Sequence, residues 1–165
     1  RALVAEGIVV SRPRTWAVVR EFTHQDIQEF GEVREAIETL IFVFAAQRHD
    51  DEGLSRLRAA YETELLAAQT GDAEAARIAA AHFHGVAADL AGNSMLAELI
   101  GVFVTRLRWL FGQHDDLLAM AEEHRVLLDA VAARDVEALR RLVPEHLVSG
   151  QAAAEARLGN VVYAI

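Results

Sequence analysis

The chain has 165 residues, a formal net charge of −9, 53% hydrophobic residues and no cysteine. That length suits one domain, or one domain with a piece of a second, and it can bury a core without disulfides. The missing cysteine excludes a disulfide scaffold, thiol catalysis, iron–sulfur clusters and thiolate zinc sites. No apolar run approaches the roughly 18 residues of a membrane span; the best, Leu40 to Ala46, is far too short. The chain opens on Arg1 without a signal-peptide pattern and reads as starting mid-protein. An acidic, cysteine-free composition suits the cytoplasm. Charge is unevenly placed: residues 1–20 carry Arg1, Arg12, Arg14 and Arg20 against Glu6 alone, and all basic residues in the chain are Arg. A basic head can meet phosphates, or simply be solvated, while the acidic remainder repels nucleic acid.

Residues 1–6 read as the end of an amphipathic helix, with Gly7 as its C-cap. Ile8-Val9-Val10 and Val18-Val19 are β-branched runs around an Arg12-Pro13-Arg14-Thr15 turn, the pattern of a short hairpin. Such a ribbon needs a body to pack on. From Thr23 onward the pattern is helical. Thr23 caps a first helix, with Asp26 near its positive end, and Ile27, Phe30, Val33, Ile37, Leu40, Ile41 and Phe44 keep helical spacing to about Arg48. Gly31 inside it marks a bend. The acidic break at 49–53 leads to a second helix ending near Gln69. A third spans about Ala73–Leu90, a fourth about Ser94–Phe111 behind an Asn93 cap, and a fifth about Asp115–Ala133. A sixth starts at Asp135, reaches roughly Gly159 and is expected to kink at Pro144. The fold class is therefore all-α: an antiparallel bundle of about six helices behind a β-hairpin.

Seven histidines are present. His84, His124 and His146 lie in apolar surroundings on three different helices. Three neutral imidazoles converging in a bundle core make a facial site for a divalent metal; separately, each is an ordinary core or surface histidine. His82 is about 200° around the helix from His84, so the two cannot face one point. His24, His49 and His114 fall at helix starts or links and are expected in solvent. Arg34 sits among apolar positions, and Glu38 at i+4 can pair with it on the surface. Alternatively Arg34 turns inward to fork a ligand carboxylate. Arg106 and Arg108 interrupt an apolar helix, and one of them can add to an anion site. There is no Gly-rich phosphate loop, no HExxH and no nucleophile elbow. The one Glu-x-x-His pair of di-metal spacing is Glu21 with His24, at a helix start.

Four short motifs then occur in order: Glu32-Val33-Arg34-Glu35-Ala36-Ile37-Glu38 followed by Ala45-Ala46; Phe83-His84 followed by Ala91-Gly92-Asn93; Glu123-His124 with Leu127, Ala130 and Asp135; and Glu145-His146-Leu147. Together they resemble the GntR-type bacterial transcription regulators whose effector domain is the FadR C-terminal, or FCD, type. Leu3 to Val9 is similar to the end of a recognition helix and the first wing strand of a winged helix-turn-helix, and Trp16-Ala17-Val18 to the second wing strand. The resemblance implies residues 1–22 as the C-terminal part of that DNA-binding domain and 23–165 as the ligand-binding and dimerisation domain. It implies a divalent metal, zinc or nickel, on His84, His124 and His146, although the family's usual fourth ligand, an Asp, falls at Ala80. It implies operator DNA as partner and a small organic-acid effector bound with Arg34, to which Arg106 can add a second cationic contact. Phosphate contact is the role open to Arg12 and Arg14, and a homodimer is expected because palindromic operators mirror a protein two-fold. Thr15 replaces the Gly usual at the wing tip. No membrane partner and no catalytic residues are expected. Two readings from other classes stand beside this one: a metal-dependent bundle enzyme, with Glu122 or Glu123 proposed as its acid or base although both are expected in solvent, and a metal-free interaction bundle whose histidines are core packing.

Overall fold

The computed structural model describes residues 9–10, 18–19, 22–101 and 116–160, with side chains from 22 to 101 and from 116 to 156. Two short strands, β1 (Val9–Val10) and β2 (Val18–Val19), pair antiparallel with Val9 opposite Val19 and Val10 opposite Val18. The helices are α1 (His24–Arg48), α2 (Asp51–Thr70), α3 (Ala73–Leu90), α4 (described over 94–101), α5 (Leu117–Ala132) and α6 (Val136–Asn160). Among the described residues no helix is long and apolar enough to cross a membrane.

Local chemistry sets the helix starts. Thr23 and Asp26 form a reciprocal capping box, the Thr23 hydroxyl accepting from the Asp26 amide while the Asp26 carboxylate accepts from the Thr23 amide. The side chains of Asp50, Asp72, Asn93, Asp116 and Asp135 each accept an amide N–H from the first turn of the helix that follows. Gly71, at φ 73°, ends α2 in the left-handed region where a Cβ would be strained. Arg134 takes a similar conformation, φ 55°, without being glycine. Its guanidinium donates to Ala46 O and His49 O, both at 2.7 Å, and so caps the C-terminus of α1 from the α5–α6 turn. Arg48 does the same for α3, donating to Ala91 O at 2.6 Å.

Packing departs from chain order in one respect. α2 lies on α3 and α5, but α1 packs on α6, α3 and α5 rather than on α2, its neighbour in sequence. Gly31 explains part of the α1–α6 approach. The helix runs through it, and a Cβ there would sit 2.8 Å from Gln151 Oε1 on α6. It therefore marks a close contact inside a continuous helix. Pro144 likewise lies inside a continuous α6. The core runs along the bundle through Ile41, Phe42, Leu57, Phe83, Leu127, Val131, Leu139 and Val143, with Ala45, Ala60 and Ala87 letting the backbones come close. Five helices thus surround one interior, and its polar residues form the site.

Candidate metal centre

α3, α5 and α6 each send one histidine inward. His84 Nε2 lies 3.1 Å from His124 Nε2, and His124 Nε2 lies 3.3 Å from His146 Nε2. Among the described residues these three form the group whose ligand atoms lie close enough to share an ion, all within 4.8 Å of one another. His124 and His146 are buried and His84 half-buried. The rings pack on an apolar wall: Phe83 stacks on His124 at 4.8 Å, and Phe42 meets His84 edge-on at 5.7 Å.

Behind each imidazole stands a carboxylate. His124 Nδ1 is 2.6 Å from Glu64 Oε2 on α2, and His146 Nδ1 is 2.7 Å from Glu123 Oε2 on α5. His84 Nδ1 is 2.6 Å from Glu38 Oε2 on α1, close enough for an ion pair but misaligned for a hydrogen bond. An ionised carboxylate only accepts, so Nδ1 of His124 and of His146 carries the proton and donates it. For a neutral ring that leaves Nε2 as a bare lone pair. The Nε2 lone pairs of neutral His124 and His146, facing one another at 3.3 Å, repel unless a cation lies between them.

A proton is a poor candidate for that cation. Burial pushes the His124 imidazolium below its usual range, and the charge of His84 adds to this, against the opposing pull of Glu64. Burial, and then the neighbouring His124 and His84, push His146 further down. A metal ion fits better. The His84–His124 and His124–His146 separations lie between the roughly 2.9 Å edge of an octahedral face and the roughly 3.4 Å edge of a tetrahedral one, for metal–nitrogen bonds of about 2.0–2.1 Å. Charge points the same way. Among the described residues the three carboxylates meet one guanidinium, Arg34, which leaves two negative charges for a divalent cation to balance. Imidazole donors backed by carboxylates are the usual build of such sites.

Arg34 pairs with Glu38, Nε to Oε1 at 2.6 Å, as the i+4 spacing suggested, but the carboxylate is buried and the guanidinium part-buried rather than on the surface. Arg34 and His84 hold the Glu38 carboxyl well below the usual carboxylate range in spite of its burial. Ala80, one turn before His84, is buried in a small cluster with Ala67, Ala76 and Met120. Arg106 and Arg108, with Arg12, Arg14 and His114, lie outside the described residues.

Two sequence expectations are corrected. His49 is not solvated: it is buried, with Nε2 3.1 Å from Val131 O. Glu123 is not turned to solvent either. It is held at His146 and Ser149, whereas its neighbour Glu122 pairs with Arg125 on the outside. Glu38 and Glu64 were not singled out as site residues at all. Their signal was present, since each is an acid on an otherwise apolar stripe: Glu38 with Ile41, Phe42 and Ala45, and Glu64 with Leu57, Ala60, Ala67 and Ala68.

Fold and site together define an all-helical bundle with a buried facial histidine centre. The FCD domain family model matches residues 29–149. The chain therefore belongs to the FCD-domain family, the effector-domain type of GntR regulators that its four motifs resemble. A curated relative, "Probable D-xylose utilization operon transcriptional repressor" of Paenarthrobacter nicotinovorans, is 26% identical over 152 residues, covering 90% of this chain and 67% of that protein. The solved structure of E. coli McbR/YncC superposes with a TM-score of 0.83 at 20% identity, over 94% of this chain and 80% of that one. Streptococcus agalactiae GntR superposes with a TM-score of 0.68 at 17% identity, over 92% of this chain and 77% of that one. The family match places the chain among GntR-type transcription regulators with an FCD effector domain.

Proposed function

We propose that this chain is the sensing part of a ligand-responsive, DNA-binding transcription regulator. Residues 23–165 bind the ligand and dimerise, and residues 1–22 end a winged helix-turn-helix. His84, His124 and His146 hold a divalent metal, zinc or nickel. A small organic carboxylate is the effector, with Arg34 and Arg106 as its cationic contacts. Arg12 and Arg14 meet operator phosphates. The metal supplies a Lewis-acidic anchor for an anionic oxygen. The chain's own residues aim the three Nε2 atoms, exclude water with Phe42 and Phe83, and keep a guanidinium one helical turn from Glu38. An effector that favours one arrangement of the dimer shifts the spacing of its two winged helices and so operator affinity. A homodimer follows from the two-fold symmetry of such operators. The relative named as an operon repressor supports the regulatory half of this reading.

One observation carries the metal half: three imidazole Nε2 atoms converge while a carboxylate stands at each Nδ1. Ala80 favours a second, metal-free reading, because it offers no fourth ligand where relatives of this type carry an Asp. Elemental analysis separates the two. The untagged protein is incubated with zinc or nickel, desalted and compared with a His84→Ala/His124→Ala variant. About one ion per chain, lost in the variant, is the expected result. No metal in the folded wild type would overturn the metal half, and the search for effectors would move to larger, acyl-type anions.

A further inference from the structure

Glu64 is the least compensated charge among the described residues. It is 0% exposed, and among the described residues its Oε1 accepts no hydrogen bond and His124 is its one ion-pairing partner. Glu38 differs because Arg34 neutralises it. Glu123 differs because its side chain is 34% exposed and shares its Oε2 with Ser149. A neutral imidazole is a weak counter-charge for a buried carboxylate. The free face of that imidazole, Nε2, is the one that meets His84 and His146.

We propose that Glu64 is the principal positioning residue of the metal centre, setting its affinity through His124, with Glu38 and Glu123 in lesser roles. The inference rests on the metal reading above and deepens it. Two effects combine in Glu64. Its hydrogen bond fixes the proton on Nδ1, which presents Nε2 to the ion with its lone pair free. Its unneutralised charge, one ring away, makes that lone pair more basic and balances the cation. The three nitrogen ligands are neutral, so the balancing charge comes from behind the ligands and not from among them. Glu64 contributes most because no other described residue neutralises it and it is fully buried from solvent. At Glu38 the guanidinium has already taken the charge, and the Nδ1 contact is misaligned. At Glu123 water screens the carboxylate.

The substitutions separate charge from shape. Glu64→Gln keeps an acceptor for His124 Nδ1–H and removes only the charge, whereas Glu64→Asp keeps the charge and draws it back. Zinc alone is the probe, its affinity measured by competition with a chromophoric chelator on the full chain. Far-UV circular dichroism checks the fold of each variant. Glu64→Gln is expected to bind zinc about ten- to a hundred-fold more weakly. Glu38→Gln and Glu123→Gln should each lose less, and Glu122→Gln, next to Glu123 but outside the site, nothing. With cobalt bound, Glu64→Gln should keep the wild-type absorption envelope, since the three nitrogen donors are unchanged, which a collapsed site would not. Wild-type zinc affinity in a folded Glu64→Gln overturns the proposal while leaving the metal reading intact. So does a greater loss in Glu38→Gln or Glu123→Gln than in Glu64→Gln. No zinc bound by folded wild type overturns both. If Glu64→Gln does not fold, Glu64→Asp decides: it must bind zinc more tightly than Glu64→Leu, and equal affinities overturn the proposal.

Discussion

Removing His124 should destabilise the protein even without metal, and the size of the loss follows from what it leaves behind. His124 is 1% exposed, lies against Phe83 and is the ion-pairing partner of a fully buried carboxylate. His124→Ala opens a cavity and strands the Glu64 charge. Removing the hydrogen-bond donor of a buried carboxylate costs about 1.5–3 kcal/mol. A large-to-small change in a packed core costs about 2–5 kcal/mol. The two costs overlap, because water entering the cavity solvates the carboxylate, so about 4 kcal/mol is expected rather than their sum. For a chain of this length each kcal/mol moves Tm by roughly 2–4 °C, giving a fall of about 8–16 °C. The assay is thermal unfolding by far-UV circular dichroism in the presence of a chelator. The double variant Glu64→Leu/His124→Leu removes the stranded charge and refills the space, and it should recover most of the loss, since apolar replacement of a buried pair is often neutral. A His124→Ala Tm within about 3 °C of wild type (under about 1 kcal/mol), or a double variant no better than the single, would refute the claim that the Glu64 charge depends on His124.

The metal-free protein should also lose stability on mild acidification. His124 and His146 have folded pKa values below their unfolded one. As pH falls through about 6.5 the unfolded chain takes up protons that the folded chain refuses. Stability then drops by up to about 1.4 kcal/mol per pH unit for each histidine, until the folded pKa is reached. Glu38, held low, adds a second loss only below the ordinary carboxylate range. Urea unfolding at pH 7.5 and pH 5.5 checks the sign, and equal or greater stability at the lower pH contradicts it. Arg134→Ala should cost about 3–6 kcal/mol, since two charge-assisted hydrogen bonds to the end of α1 disappear, each worth about 1.5–3 kcal/mol. Arg134→Gly should cost about 1 kcal/mol less than Arg134→Ala, because glycine adopts the positive φ without strain. Denaturant melts of the two variants measure both numbers, and equal losses would show that the left-handed conformation there is unstrained.

How much of the site was legible in the sequence depends on the kind of signal each residue carried. The capping residues Thr23, Asn93 and Asp135 could be read directly, because a cap is a local hydrogen bond between near neighbours in the chain. The histidine trio could be named from helical spacing and from the family motifs, though not shown to meet. His49 was misread because its partner, Val131 O, is 82 residues away and no local pattern marks it. Glu123 was misread because its neighbours on the chain, Glu122 and His124, pull the reading toward both solvent and core. Only packing decides which way each acid turns.

The sequence by itself determined the class of fold, the helix boundaries near their caps and the three residues able to bind a metal, since periodicity, capping and residue chemistry act within a few positions. Tertiary structure alone decided that α1 skips α2 to pack on α6 and α3, which brings Glu38 to His84. It also decided that Glu64 crosses from α2 to His124, 60 residues away, and that Arg34 pairs with Glu38 inside the bundle. The reason is physical. A buried charge is tolerated only where a partner from another helix meets it, and that meeting is set by how five helices share one interior.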